Sequence, residues 1–157
     1  MVSEAQCVGL ESPLGMIKLT AARGQIVAVE WDAALPQCGG TADILLEATR
    51  QLTAYFEGRL RVFDLPMALG PSAFQARFQA ALLAIPFGET RSYGQLGAET
   101  GVSAQAAGQA CGANRLPILV PCHRVLGAGS LGGYSGVGGV ETKVALLRLE
   151  GAAGLLI

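Results

Sequence analysis

Apolar and polar side chains alternate along residues 14–31, with the two-residue period of a strand that buries one face. An Arg-Gly-Gln sequence interrupts the alternation and is a turn signal, so the segment predicts a β-hairpin. Residues 60–65 predict one further short strand. The apolar positions of the two hairpin strands are Met16, Ile17 and Leu19, followed by Ile26, Val27, Val29 and Trp31.

The spacing of apolar residues changes to that of an amphipathic helix over about 41–57. After this helix, the Gly-Pro-Ser sequence at 70–72 is the best candidate boundary between domains. We therefore expect a first domain at residues 1–69 and a second at residues 70–157. The predicted buried face of the helix consists of Ile44, Leu45, Ala48, Leu52, Tyr55 and Phe56.

A second helix is predicted between Pro71 and the Pro-Phe-Gly sequence at 86–88, because a proline is favoured at a helix start and ends a helix elsewhere. The apolar stripe of this helix consists of Phe74, Phe78, Leu82 and Ile85.

Two short helices follow, over 93–100 and 104–113. Ser92 and Ser103 precede them as N-cap residues, and Gly101 ends the first. Two short helices around a glycine-containing turn have helix-turn-helix form. Helical hairpins are also common structural units, so the form alone leaves both DNA binding and a structural role open.

The last part of the chain contains an apolar run, a glycine-rich loop and a final helix. The run is Leu-Pro-Ile-Leu-Val at 116–120, and the loop at 127–139 contains seven glycines. The helix is predicted over about 140–149. Its expected inward positions are Val140, Val144, Ala145 and Leu147.

The composition excludes two classes of protein. With 157 residues, 51% apolar and 15% charged, the chain has enough apolar surface for an ordinary core and is not disordered. It contains no run of 18 apolar residues, so we expect no membrane span. The first residues are acidic where a signal peptide is basic, so we expect a cytoplasmic protein with reduced thiols.

The charges are distributed unevenly between the halves. Residues 1–70 contain five Lys and Arg against eight Asp and Glu, a net charge of −3, and residues 71–157 contain six against four, a net charge of +2. The second half is therefore the better candidate to meet a polyanion, although a margin of two charges is weak evidence.

Cys122 and His123 are the first candidates for chemistry, because His123 is the chain's one histidine and directly follows a cysteine. A neighbouring imidazole favours the reactive thiolate, provided that a turn brings the two side chains to one side. The alternative is a buried cysteine beside a surface histidine. No C-x-x-C pair is present, so we expect no metal site.

The residues around this pair form a specific pattern. The Pro-Cys-His-Arg-Val sequence at 121–125 is preceded by Asn114 and followed by Gly-Tyr-Ser-Gly at 133–136. With Ile-Pro-Phe-Gly-Glu-Thr at 85–90, Ser92-Tyr93 and Leu-Glu-Gly at 149–151, the pattern resembles the O6-alkylguanine-DNA alkyltransferases. The resemblance covers residues 72–151 strongly and the first domain weakly.

The resemblance implies an α+β fold. Its first part is a small N-terminal α/β lobe with an antiparallel, ribonuclease-H-like sheet, and its second is a mainly helical C-terminal domain with a helix-turn-helix. It also implies direct-reversal DNA repair, in which the protein irreversibly takes an alkyl group from guanine O6 onto its own cysteine. No cofactor is implied, because the damaged base is the alkyl donor.

The resemblance assigns the catalytic roles to five residues. Cys122 accepts the alkyl group, His123 takes the thiol proton through a water molecule, and Glu150 orients His123. Tyr93 donates to the departing guanine, and Asn114 holds the active-site turn. Without the resemblance, Tyr93 reads as a core residue, Asn114 as a helix C-cap and Glu150 as a solvated helix end.

The resemblance also implies the partner, double-stranded DNA that carries O6-alkylguanine and is bound through its minor groove with the target base flipped out. We expect the protein to act as a monomer. The residues expected to contact DNA or the base are Gln105, Ala106, Gly108, Arg115, Arg124, Tyr134, Ser135 and Gly136.

Gln105 departs from the family pattern, which places an arginine there to fill the space of the flipped base. Glutamine lacks the cation, so we expect weaker duplex binding than is usual.

Two competing functions remain open. One is a non-catalytic alkyltransferase-like protein that binds lesions, in which the acceptor cysteine is replaced; the presence of Cys122 argues against it. The other is a thiol hydrolase that uses Cys122, His123 and Glu150 and turns over repeatedly.

Overall fold

The computed structural model of this chain describes residues 5–31, 40–127 and 139–152. The chain divides into two compact units, Met1–Ala68 and Leu69–Ile157.

The first unit contains a three-stranded antiparallel sheet and one helix. The strands β1 (Gln6–Ser12), β2 (Gly15–Ala22) and β3 (Gln25–Trp31) lie in chain order, and α1 spans Asp43–Phe56. The predicted hairpin is confirmed as β2 and β3, with Leu19 opposite Val29. The sequence did not predict β1.

The core of this unit lies between the sheet and α1, which contacts all three strands. Ile17, Leu19 and Ile26 are completely buried on the sheet, as are Leu45 and Leu52 on α1. The predicted helix is therefore confirmed, with most of its expected face buried.

The predicted strand over residues 60–65 is wrong. Val62 is 76% exposed, and the chain pairs with the sheet only later, where Met67 forms an isolated parallel bridge with Ile26. Pro66 accepts a hydrogen bond from the Ile26 N–H at 2.9 Å, but a proline has no N–H with which to extend the ladder.

The second unit is mainly helical. Strands β4 (Arg91–Ser92) and β5 (Val125–Leu126) form a two-stranded parallel pair that the sequence did not predict, and the 3₁₀ turn Cys122–Arg124 directly precedes β5. The other elements of the unit in chain order are α2 (Ala73–Leu83), α3 (Tyr93–Thr100), α4 (Ala104–Gly112) and α5 (Val140–Leu149).

The predicted helix-turn-helix is confirmed as α3 and α4, and local signals define its ends. Ser92 Oγ accepts a hydrogen bond from the Gln95 N–H at 3.0 Å, and Gln95 Oε1 accepts one from the Ser92 N–H at 2.8 Å, which makes a capping box. Gly101 ends α3 in the left-handed region at φ 78°. Ser103 Oγ caps α4 by accepting from the Ala106 N–H at 3.1 Å.

The inward face of α5 differs from the predicted one. Val140 is 41% exposed, and of the expected residues only Leu147 is buried. Lys143 is buried instead of Val140. Polar groups inside the unit are partners for this lysine, and the spacing of apolar residues along the sequence does not reveal them. The buried residues of α5 are Thr142, Lys143, Leu146 and Leu147.

The expectation of reduced thiols is wrong at Cys7, which is disulfide-bonded, whereas Cys111 and Cys122 are free. A sequence does not show which cysteines approach closely enough to pair. Among the described residues, no helix has the length and apolar character needed to cross a membrane.

Gly97→Ala is expected to lower the free energy of unfolding by about 2 kcal/mol. An added Cβ would lie 2.6 Å from the Val102 carbonyl oxygen and 3.0 Å from that of Ser103, so the α3–α4 turn would have to move. Gly112→Ala is the matched control, because its Cβ would meet nothing within 4 Å. Urea denaturation followed by circular dichroism measures both variants, and equal effects would contradict the close packing at Gly97.

Candidate active site

Cys122 lies at the start of a tight turn rather than in a strand. Its N–H donates to the Val120 carbonyl at 2.8 Å, and the Arg124 N–H donates to the Pro121 carbonyl at 3.1 Å. The resulting 3₁₀ turn places Cys122 and His123 outside a strand geometry, in which neighbouring side chains point in opposite directions. The turn that the two residues need in order to cooperate is therefore present.

Asn114 fastens the segment that leads into this turn. Its Nδ2 donates to the Val120 carbonyl at 2.9 Å, and its Oδ1 accepts from the Leu116 N–H at 3.0 Å. Between Asn114 and Val120, Ile118 is buried with a backbone φ of 73°, a left-handed conformation that is energetically unfavourable for a β-branched residue. The side-chain bonds of Asn114 help to hold that strained backbone in place.

His123 is completely buried, which excludes the surface histidine that the sequence left open. Its Nε2 lies 2.7 Å from Glu150 Oε2. Glu150 is buried as well, and the Arg124 guanidinium binds it with both Nε, at 2.8 Å from Oε1, and Nη2, at 3.0 Å from Oε2. One carboxylate therefore contacts both the imidazole and a permanent cation.

The environment of His123 determines which nitrogen is available as a base. Burial lowers the pKa of His123 below its ordinary value, and the Glu150 carboxylate opposes this shift only in part. The ring is thus neutral at pH 7, and its proton lies on Nε2, which donates to Glu150. Nδ1 has no hydrogen-bond partner among the described residues and carries a free lone pair.

The Cys122 thiol is 4% exposed, and its resting form is protonated. Burial raises the pKa of Cys122, while the Asn114 amide and the Lys143 ammonium partly oppose the rise. A thiol in this position needs a base to remove its proton, and it has groups nearby that stabilise the resulting thiolate.

Lys143 belongs to the site, although the sequence analysis did not identify it. It is 0% exposed, and its Nζ donates to the Tyr93 hydroxyl at 3.4 Å and lies 5.5 Å from the centre of that ring. Burial lowers the pKa of Lys143, and the thiols of Cys111 and Cys122 oppose this shift. The available signal was its spacing of seven residues before Glu150, which places both on one helix face.

Cys111 is a second buried thiol in this region. Burial raises its pKa to about 12, and the neighbouring Cys122 adds to the rise. Cys111 is therefore a poor nucleophile at neutral pH compared with a thiol that has a base.

The residues expected to contact DNA fall into three groups. Gln105 and Arg115 are exposed, and Ala106 and Gly108 are half-buried on α4. Tyr134, Ser135 and Gly136 lie outside the described residues.

Arg124 is the exception and requires a correction. It is buried against Glu150, its Nη1 donates to the Ile85 carbonyl at 2.7 Å, and its guanidinium lies 5.8 Å from the centre of the Phe87 ring. With its donors used inside the protein, Arg124 supports Glu150 and does not face DNA.

The described parts of the chain, residues 5–31, 40–127 and 139–152, contain no group of three or more His, Cys, Asp or Glu side chains that would hold a metal ion.

Two family profiles match the chain. The 6-O-methylguanine DNA methyltransferase ribonuclease-like domain matches residues 8–69, and the 6-O-methylguanine DNA methyltransferase DNA binding domain matches residues 73–152.

Curated relatives carry the corresponding name. The methylated-DNA–protein-cysteine methyltransferase of Mycobacterium leprae is 41% identical over 160 residues, covering 92% of this chain and 91% of the relative. The enzyme of that name from Mycobacterium bovis is 51% identical over 106 residues, which cover 66% of this chain and 63% of the relative, slightly less than two thirds of its length.

The fold also matches a solved structure. The crystal structure of Mycobacterium tuberculosis OGT in complex with DNA superposes with a TM-score of 0.80 at 38% sequence identity, covering 92% of each chain. The α+β fold expected from the resemblance is thus confirmed, with its antiparallel sheet in the ribonuclease-like part and its helices in the DNA-binding part. The chain belongs to the methylated-DNA–protein-cysteine methyltransferase (O6-methylguanine DNA methyltransferase) family.

Proposed function

We propose that this chain repairs DNA by moving an alkyl group, typically methyl, from guanine O6 to Cys122, once per molecule. The observation that carries the proposal is the buried His123–Glu150 pair beside a thiol that is itself buried and free. The sulfur forms a bond to the methyl carbon while the bond from that carbon to O6 breaks, and the electron pair moves onto the guanine. The product thioether has no proton left to lose, so the reaction ends there.

Proton transfer away from the thiol is the role of His123. Nδ1 of the neutral imidazole carries a free lone pair, so this nitrogen accepts the Cys122 proton through a bridging water molecule. The Glu150 carboxylate stabilises the imidazolium that forms, and Arg124 holds that carboxylate in place.

The departing guanine needs a proton as negative charge develops on its ring. Tyr93 is half-buried at the start of α3 and supplies this proton from its hydroxyl. Lys143, 3.4 Å from that hydroxyl, stabilises the phenolate left behind.

The target base has to leave the duplex to meet a sulfur that is 4% exposed. We propose that α4 lodges in the minor groove with Ala106 and Gly108, whose small side chains permit a close approach. Gln105 and Arg115 are exposed and belong to the same contact surface. Tyr134, Ser135 and Gly136 contact the flipped base in this proposal, as the family resemblance implies. Residues 70–157 then form the domain for DNA binding and transfer, and residues 1–69 form the N-terminal lobe.

The reaction needs one copy of the chain and no cofactor, so we propose a monomer. Its substrate is chromosomal DNA, and it acts in the compartment that contains that DNA, the cytoplasm in a bacterium.

Cys122→Ala is expected to abolish transfer and to retain DNA binding, because it removes the acceptor sulfur alone. The matched control is Cys111→Ala, which removes the second free buried thiol that the structure describes and is expected to transfer normally. Each variant is incubated with a duplex that contains O6-methylguanine, and the intact protein is weighed by mass spectrometry. The wild type should gain one methyl group per molecule, located on the peptide that contains Cys122.

Other outcomes of this experiment identify the competing functions. Binding without added mass in the wild type would indicate a lesion-binding protein without transfer. Repeated hydrolysis of a thiol-reactive ester would indicate a hydrolase. Transfer that persists in Cys122→Ala would contradict the assignment of the acceptor.

Glu150→Gln is expected to slow transfer by about tenfold or more, because the amide no longer stabilises the His123 imidazolium. Glu141→Gln is the control, since Glu141 is exposed in the first turn of the same helix. Single-turnover rates are measured on samples shown to be folded by circular dichroism, because the variant also leaves Arg124 without its carboxylate. A normal rate in folded Glu150→Gln would contradict the proton path.

Gln105→Arg is expected to tighten duplex binding by about three- to tenfold, because a guanidinium stacks in the space of the flipped base. Gln109→Arg adds the same charge at another exposed position of α4 and is the matched control. Gel-shift titrations with the lesion-containing duplex compare the two. Equal gains would show that added charge alone explains the effect.

A further inference from the structure

Gln79 is a buried polar residue that the transfer mechanism does not use. It lies on α2, is 3% exposed, and follows the buried Phe78. A buried amide costs free energy unless its groups are paired, so its partners show what it does.

Both ends of the Gln79 amide have partners. Oε1 accepts a hydrogen bond from the Gly70 N–H at 2.8 Å, and Nε2 donates to Asn114 Oδ1 at 3.4 Å. The Gly70 N–H requires an acceptor, so the amide oxygen faces Gly70 and the NH₂ group faces Asn114. The direction of the second bond follows from the first.

We infer that Gln79 is a positioning residue that holds the Asn114 amide in the one orientation in which its Nδ2 faces the Cys122 turn. The inference rests on the proposed function, since it concerns the same acceptor cysteine. The motifs quoted above do not contain Gln79, and its role is inferred from its contacts.

The orientation of Asn114 depends on the donors that meet its oxygen. Oδ1 receives the Leu116 N–H at 3.0 Å and Gln79 Nε2 at 3.4 Å, so an inverted amide would direct its own NH₂ group at two donors. In the observed orientation Nδ2 donates to the Val120 carbonyl at 2.9 Å.

The Asn114 amide also opposes the rise that burial causes in the pKa of Cys122, so it favours the thiolate. A donor on Oδ1 polarises the amide and strengthens its N–H groups as donors. Gln79 therefore acts on Cys122 through Asn114.

The test replaces Gln79 by methionine, which keeps the length of the side chain and removes both hydrogen bonds. The matched control is Gln51→Met, because Gln51 is another buried glutamine with backbone partners, the N–H and carbonyl of Asp64 at 2.9 and 3.0 Å, in the first unit. Two rates are followed from pH 6 to 10. They are methyl transfer from O6-methylguanine DNA, and reaction of Cys122 with iodoacetamide, measured on its peptide by mass spectrometry.

Gln79→Met is expected to raise the apparent pKa of Cys122 in the iodoacetamide profile by about 0.5 and to slow transfer at pH 7 about two- to fivefold. Gln51→Met is expected to change thermal stability without moving the profile. A wild-type profile in Gln79→Met would overturn the inference, as would an equal displacement in both variants.

A double variant tests whether the effect passes through Asn114. In an Asn114→Ala background, Gln79→Met should have no further effect on the profile, and a full additional displacement would overturn the inference. If Gln79→Met does not fold, Gln79→Glu replaces it, because the carboxylate still accepts from Gly70 but cannot donate to Asn114. A wild-type profile in that variant would likewise overturn the inference.

The iodoacetamide profile does not depend on DNA. A wild-type protein without transfer activity would contradict the proposed function, and the displacement in Gln79→Met would still report on Gln79.

Discussion

The buried carboxylate of Glu150 is the interaction on which the site depends. It accepts from the imidazole of His123 and from two nitrogens of the Arg124 guanidinium, so a single group determines the tautomer of the base and neutralises an internal cation. Removing one partner of a buried ion pair is far more costly than removing a surface pair, because the remaining charge keeps its desolvation penalty. The end of α5 and the turn at Cys122 are therefore coupled: neither can move without exposing an unpaired charge.

The sequence was informative where structure is determined locally. The ends of α3 and α4 follow from Ser92, Gly101 and Ser103, whose side chains or backbone preferences act within one helical turn. The pair β4–β5 was not predicted, since two-residue strands carry no period and a parallel pair joins segments that are far apart in the chain. The strand β1 was not predicted because none of its seven residues is buried, so its sequence lacks the alternation of a half-buried strand. The Pro-Cys-His-Arg-Val motif identified the family, but it did not show which of its side chains are buried.

The buried polar residues of the second unit are the part of the site that the spacing of hydrophobic residues does not predict. Hydrophobic spacing treats Gln79, Arg124 and Lys143 as surface positions, yet all three are buried and each contacts a residue of the proposed mechanism. A polar side chain can be placed inside only when its partners are known, and those partners lie on other elements. The Pro-Cys-His-Arg-Val motif contains the proposed reacting residues Cys122 and His123, whereas the residues that orient them are identified only from their contacts in the structure.

The composition of α4 affects how such a protein would search a chromosome. The helix Ala104–Gly112 contains no charged residue, so in the proposed binding mode its insertion into a groove would displace few condensed counterions. Attraction along the helix then comes from shape and from van der Waals contact, and it changes little with ionic strength. In that binding mode, weak electrostatic attraction would permit rapid release from undamaged DNA, and the protein would stay longer only where a weakened base pair lets its guanine leave the duplex.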